Sequence, residues 1–387
     1  MTSTLATDAS AAQAAAAPTE LLIGCYTGPV CKGIGRYRFD AAQGRIDAEP
    51  VEVIETDNPS WFTFSPDGTR LFAVNENGPQ SADPVGRASS FALASGLALA
   101  RGDARTLPLS QVNSLGDEPA HASVSGDGRY LFVSNYSVNA SPGGTLTVVP
   151  IGADGRLQPA VQVLTHRASQ VDHERQLSTH VHAAVPSKDG RYVYAADLGA
   201  DKVYAYRYDP AHSAERPLQP AAAPYLELPP GTGPRHLLFD ASGRHAYLTL
   251  EMSGEVVVLD YDDGRLNPVQ TIALDPGRKS GNAAAALHLS ADGRFLYASN
   301  RGEDNHIAVY TVDAGNGRLS ALQRRETEGK GPREFALSPD GRFVVVGNQH
   351  TNTLLVIQRD PRDGKLGKTV QTLSMTSPSD VKFVPAR

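Results

Sequence analysis

Cysteine is nearly absent: the 387 residues hold only Cys25 and Cys31. A disulfide framework of the kind that staples small secreted folds needs more, so two reduced thiols in a cytosolic protein are expected. Basic charge is not in excess. Lysine and arginine total 36 against 42 acidic residues, a net charge of −6, which argues against a nucleic-acid partner. No apolar run approaches the roughly 20 residues of a membrane span. Residues 1–19 lack a basic start and a Leu-rich segment, so they do not read as a secretory signal. They are expected to be a disordered Ala-rich tail, with one domain over 20–387 in the cytoplasm. Helical periodicity is missing too.

What the chain does have is a repeat. Hydrophobic residues make up 40% of it, enough to bury a core, and 387 residues exceed one ordinary domain. A turn signal recurs as Asp67-Gly68, Asp127-Gly128-Arg129, Asp189-Gly190-Arg191, Ser242-Gly243-Arg244, Asp292-Gly293-Arg294 and Asp340-Gly341-Arg342. The glycines are 60, 62, 53, 50 and 48 residues apart. Asp-Gly between short apolar runs is a hairpin signal, because glycine accepts the positive φ of a tight turn. Both flanks read as strands, for example His236–Phe239 before the turn and Tyr130–Val133 after it. Four short antiparallel strands per repeat is the β-propeller pattern.

Six hairpins are complete. A seventh unit is split, with later strands from Leu21–Cys25 and Gly35–Phe39 and an innermost strand from Asp380–Val384. Pairing the two ends closes the ring and removes exposed edges. The expected fold is all-β, a seven-bladed propeller of four antiparallel strands per blade.

Alignment on the turn glycine shows what borders the central channel, because the first strand of each blade is innermost. Eight residues before the glycine the column reads Ser60, Ala120, His182, Arg235, Ala285, Arg333, and one residue later Trp61, His121, Ala183, His236, Ala286, Glu334. Seven after it stand Asn75, Asn135, Asp197, Leu250, Asn300, Asn348, and eight after it Glu76, Tyr136, Leu198, Glu251, Arg301, Gln349. Hairpin geometry therefore gathers His182, Arg235, Glu251, Arg301, Arg333 and Gln349 at one mouth of the channel. The Asn column has a structural reading as strand caps. His121 and His236 read equally as packed histidines or as ligand contacts. Arg129, Arg191, Arg244, Arg294 and Arg342 fall on the opposite face as solvated strand ends. His182, Arg235, Glu251 and Arg301 are hard to explain structurally, since unpaired buried charge is costly, although a purely structural Glu251–Arg ion pair is the competing account.

These motifs resemble the lactonase family of seven-bladed propellers, which includes 6-phosphogluconolactonases and carboxy-cis,cis-muconate lactonizing enzymes. The resemblance covers the chain after residue 20. It rests on Gly24-Cys25-Tyr26-Thr27, where the family favours Thr at the cysteine position, His180-Val181-His182, Ala196–Asp201, Gly233-Pro234-Arg235-His236, Leu250-Glu251, Ser299-Asn300-Arg301-Gly302 and Gly331–Phe335. The family's proposed catalytic His, two Arg and Glu carry over to His182, Arg235, Arg301 and Glu251, with His180, His236, Arg333, Gln349 and His121 as expected substrate contacts. The segment Arg167–Leu177 is a loop expected to vary with substrate, and Arg278 and Lys279 are further candidates for a phosphate pocket.

The resemblance implies hydrolysis of a small anionic lactone, 6-phosphogluconolactone being the leading substrate, without cofactor or metal. Arginine suits both an anionic group and a developing oxyanion. Two arginines should depress Glu251 and weaken it as a base, whereas His182 should titrate nearer neutrality. His182 is thus the expected base, with Glu251 orienting it or donating a proton to the leaving alkoxide. A cation would find Glu251 among arginines, a poor site. Cycloisomerisation of a carboxy-muconate and a non-catalytic interaction propeller are the alternatives. Oligomeric state is not legible.

Overall fold

The computed structural model describes residues 19–386 apart from 138, 140–142, 278–280 and 282. The expected tail over 1–18, together with Arg278 and Lys279, lies outside the described residues. Seven antiparallel sheets follow one another around a ring, six of four strands and one whose outer edge is split in two. The innermost strands are Phe62–Phe64, Pro119–Val124, Val181–Pro186, Pro234–Phe239, Ala284–Leu289, Pro332–Leu337 and Pro378–Phe383. Among the described residues, helix is limited to Gly96–Ala100 and a 3₁₀ turn at Leu198–Ala200.

The ring closes as expected. Pro378–Phe383 pairs antiparallel with Glu20–Cys25, Leu21 opposite Phe383 and Ile23 opposite Val381. Asp380 then accepts a hydrogen bond from the Phe62 N–H of the next blade at 2.8 Å. Gly24 is required here, since a Cβ on it would stand 2.2 Å from the Pro59 carbonyl oxygen.

The second strand of each blade is apolar without alternation. Leu131–Val133 and Phe343–Val346 are buried on both faces, because each sheet is sandwiched between two neighbours. The cores are accordingly inter-blade clusters, such as Tyr194, Val203 and Ala205 against Leu237, Leu248 and Val257. Each fully buried Val or Leu contributes about 1.5–3 kcal/mol.

The hairpin turns are built alike. In Ser65–Asp67, Ser125–Asp127, Ser187–Asp189, Ser290–Asp292 and Ser338–Asp340 the serine hydroxyl donates to the aspartate. The glycine that follows has φ between 68° and 73°. The arginines after these turns face solvent, as expected, with their guanidiniums over the next ring: Arg129 over Tyr130, Arg191 over Tyr192, Arg294 over Phe295 and Arg342 over Phe343.

One expectation is corrected. Cys25 and Cys31 are not two free thiols but form a disulfide. The blade geometry brings the end of Glu20–Cys25 beside the start of Gly33–Asp40, and that approach is invisible in the cysteine count.

Candidate active site

The site begins with a backbone irregularity. Near its start each of six innermost strands slips register against its neighbour. Val181 pairs with Asp197 and Ala183 with Ala196, which leaves His182 unmatched. Pro332 pairs with Asn348 and Glu334 with Gly347, which leaves Arg333 unmatched. Pro234 pairs with Leu250 and Leu237 with Leu248, so Arg235 and His236 share the one residue Thr249. The same slip occurs at Pro119/His121, Ala284/Leu287 and Pro378/Asp380. A β-bulge re-aims the extra side chain. The column eight before the turn glycine is therefore the bulge column, which is how His182, Arg235 and Arg333 reach the channel.

The ends of the second strands supply the rest. Glu251 follows Leu250, its N–H bonding the Gly233 carbonyl, and Arg301 follows Asn300, its N–H bonding the Ala283 carbonyl. Glu251 Oε2 lies 3.0 Å from Arg235 Nε and 3.0 Å from Arg301 Nη2. Its other oxygen, Oε1, accepts from Arg175 Nη2 at 2.7 Å. Arg175 comes from the loop over 167–177. Buried Gln176 pins that loop by donating to the Leu198 carbonyl and to Asp201, both at 2.8 Å. Asp201 also accepts from the Gly231 and Gly233 N–H groups, so one carboxylate sets both the loop and the approach to Arg235.

A second group faces the first. Arg333 Nη2 lies 3.2 Å from Glu76 Oε2, and its guanidinium sits 5.4 Å over the Tyr26 ring. Tyr26 donates its hydroxyl to Glu76 Oε1 at 2.8 Å. Four guanidiniums thus surround two carboxylates, leaving an excess of positive charge at the channel mouth.

Histidines and one tryptophan continue the wall. The His182 and His236 rings are 5.2 Å apart, His236 and His121 5.8 Å, and His121 and Trp61 4.5 Å. His121 Nδ1 accepts from the Ala184 N–H and His236 Nε2 accepts from Arg235 Nη1, which assigns a neutral tautomer to each. His180 stacks on Tyr136 at 4.4 Å and turns Nδ1 to the Tyr136 and Ser137 carbonyls. It supports Tyr136 rather than facing the Glu251 cluster. Gln349 is half-buried, its N–H bonded to the Gly331 carbonyl, and is not among the groups joined to Glu251 or Glu76. The Asn column is structural: Asn75, Asn135 and Asn348 are buried and donate to neighbouring carbonyls. Asp197, one of the two members that are not Asn, accepts from the His180 N–H at 2.8 Å and so holds the start of the His182 strand.

Electrostatics correct two more expectations. Burial opposes the charge on Glu251, but Arg301, Arg235 and Arg175 hold its carboxyl well below the usual carboxylate range. Glu251 is ionised and is no proton donor. His182 does not titrate near neutrality: burial, then the charge of Arg235, pushes it well below the ordinary histidine value, with Glu251 opposing. His182 is therefore neutral. Glu118, next to Glu76, is raised to about 7 by burial first and then by Glu76 and Asp117.

Three buried polar atoms at this place lack a directed hydrogen-bond partner: His182 Nδ1, Arg235 Nε and Arg301 Nε. Arg235 Nε is near Glu251, but the N–H points out of line. Buried orphans are uncommon, and these three converge on one mouth, Arg235 Nε keeping its ionic contact with Glu251. Among the described residues no group of three or more His, Cys, Asp or Glu is arranged to hold a metal. No helix among them is long and apolar enough to cross a membrane.

Sequence reasoning missed Arg175, Tyr26, Glu118 and Tyr136, whose hydroxyl accepts from Arg175 Nη2 at 3.3 Å, as candidate site residues. Arg175 and Glu118 lie in loops outside the blade alignment, where no column flags them. Tyr136 stood in the column of Glu251 and Arg301 and could have been found there.

The comparisons agree with the seven-bladed fold. The family profile described as lactonase, 7-bladed beta-propeller, matches residues 20–383. A 6-phosphogluconolactonase of Bacillus subtilis is 30% identical over 368 residues, 94% of this chain and 97% of that protein. One from Formosa agariphila is 29% identical over 353 residues, 91% of this chain and 96% of that protein. Among solved structures, a periplasmic gluconolactonase of Pseudomonas aeruginosa superposes with a TM-score of 0.90 at 51% identity, covering 95% of this chain and 99% of that one. The chain belongs to the seven-bladed β-propeller lactonase family, a family of enzymes.

Proposed function

We propose that the protein hydrolyses a sugar lactone at the channel mouth, with 6-phosphogluconolactone as the leading substrate, using His182, Arg235, Arg301 and Glu251 and no metal. The observation that carries this reading is the excess of guanidinium over carboxylate around three orphaned polar atoms. Neutral His182 takes a proton from water as the water oxygen attacks the lactone carbonyl carbon. Arg235 and Arg301 stabilise the oxyanion that forms. The ring C–O bond then breaks, and the His182 proton passes to the leaving alkoxide, leaving a hydroxy acid. Burial depresses His182 most and the arginines next; anionic substrate and oxyanion offset the arginine share, which raises its basicity. Glu251, held ionised by three arginines, orients them and His182. Glu251 among guanidiniums offers a cation little, so chelator should leave the rate unchanged.

Two observations favour a second reading, an unphosphorylated gluconolactone as substrate in an oxidising compartment. They are the Cys25–Cys31 disulfide and the 51% identity to a gluconolactonase described as periplasmic. The phosphorylated substrate goes with the cytoplasm, as expected from the sequence. The test is pH-stat hydrolysis of freshly made 6-phosphogluconolactone and of gluconolactone, spontaneous rates subtracted, for wild type and Glu251→Gln. Acceleration lost in the variant supports the site. Acceleration of neither lactone refutes the reading, and the ratio of the two kcat/KM values selects the substrate.

A further inference from the structure

The disulfide lies in the one blade made from both chain ends, and the segment it closes carries a wall of the anion site. Cys25 ends the strand Glu20–Cys25 and is buried, and Cys31 is half-buried just before Gly33–Asp40. Between them, Tyr26 lies under Arg333 and bonds Glu76. Burial raises the Tyr26 hydroxyl above its ordinary value, so it stays a donor. Thr27 donates from both its N–H and its hydroxyl to Asn58 Oδ1, at 2.8 and 3.0 Å. Asn58 has φ of 39° and accepts the Glu76 N–H on its carbonyl. The segment therefore touches Glu76 twice, by the Tyr26 hydroxyl and through the Asn58 backbone, and Glu76 in turn holds Arg333.

We propose that the Cys25–Cys31 loop is a positioning element for substrate anion binding: the disulfide fixes Tyr26 and Asn58 on Glu76, and Glu76 fixes Arg333. Affinity for an anionic lactone then depends on the redox state of this pair, while the Glu251 cluster that performs the chemistry does not. The proposal rests on the lactonase reading for its substrate. Cys31 borders a surface cleft of about 610 Å³, which gives a reductant a route to the bond. A closed loop contributes by limiting the conformations of the segment it spans, and here that segment is a site wall.

Wild type, Cys25→Ser/Cys31→Ser, Tyr26→Phe, Arg333→Gln and the Cys pair combined with Arg333→Gln serve as the test. The expected result is a rise in KM for 6-phosphogluconolactone of about tenfold in the Cys pair and in dithiothreitol-treated wild type, with kcat little changed. Tyr26→Phe should reproduce part of it. Dithiothreitol should add nothing to the Cys pair, and the Cys pair should add nothing in the Arg333→Gln background. Amide hydrogen exchange over 58–78 and 330–335 should quicken on reduction, a readout that needs no substrate. A lowered melting temperature with KM and exchange at Arg333 unchanged overturns the proposal and leaves the disulfide a plain staple. Faster exchange with no lactone hydrolysed upholds the coupling to Arg333 and sinks the lactonase reading instead.

Discussion

Arg235 Nε stands 3.0 Å from Glu251 Oε2, and the two residues flank the pair Pro234–Leu250 that opens one hairpin. A single blade thus builds the charged centre of the site from its own first and second strands. Arg301 of the next blade and Arg175 of the preceding loop complete it.

Removal of Arg301 tests the oxyanion role. Arg301→Ala should lower kcat about 10²–10³-fold, the equivalent of about 2.7–4 kcal/mol of barrier. Single-turnover rates measured at saturating lactone decide it; near-normal turnover excludes Arg301 from stabilising the oxyanion.

The buried histidines make the fold acid-sensitive. Burial pushes His121 down to about 3, and holds His182 and His236 well below the ordinary value. Below about pH 6.5 the unfolded chain binds protons that the native state refuses, so stability falls as pH falls. Each histidine contributes a slope of up to about 1.4 kcal/mol per pH unit below about pH 6.5, and its stabilisation is present in full only above that value. Glu251, depressed in the native state, adds to the loss below the ordinary carboxylate value in the same direction. Urea unfolding at pH 7.5, 6 and 5 should show the slope, and His121→Phe should reduce it by one histidine's share. An equal stability at all three values would contradict the burial argument.

Glu118 sets an upper pH limit for anion affinity. Raised to about 7, it ionises as pH passes through neutrality and adds negative charge beside Glu76. KM for an anionic lactone should therefore rise above pH 7, and in Glu118→Gln that rise should vanish. A KM–pH profile identical in the two proteins would remove Glu118 from the site's electrostatics.

Gly199 makes room for the histidine strand. A Cβ there would stand 2.0 Å from the Ser178 carbonyl oxygen and 3.0 Å from the His180 nitrogen, and backbone atoms cannot step aside. Gly199→Ala should cost about 1–3 kcal/mol of stability or more, together with activity through displacement of His182. Thermal melting and kcat are the readouts, and wild-type values for both would show that the close approach is not needed.

The sequence by itself determined the seven blades, the ring closure and the columns that line the mouth. Those follow from local rules: a Gly with positive φ every 48 to 62 residues and short apolar runs that pair as hairpins. The alignment therefore placed His182, Arg235, Glu251, Arg301 and Arg333 correctly at one end of the ring. It could not tell that Gln349 stands apart from the Glu251 and Glu76 clusters, because membership in a column fixes height along the channel but not the direction of a side chain; His180, expected from the resemblance alone, turns to Tyr136 instead. Arg175 reaches Glu251 only because Gln176 and Asp201 pin a loop, and the pairing of Cys25 with Cys31 depends on two strands of one blade meeting side by side. The depressed histidines were likewise beyond the sequence, since a pKa reflects burial and through-space distance to charges on other blades, and only the closed ring sets those.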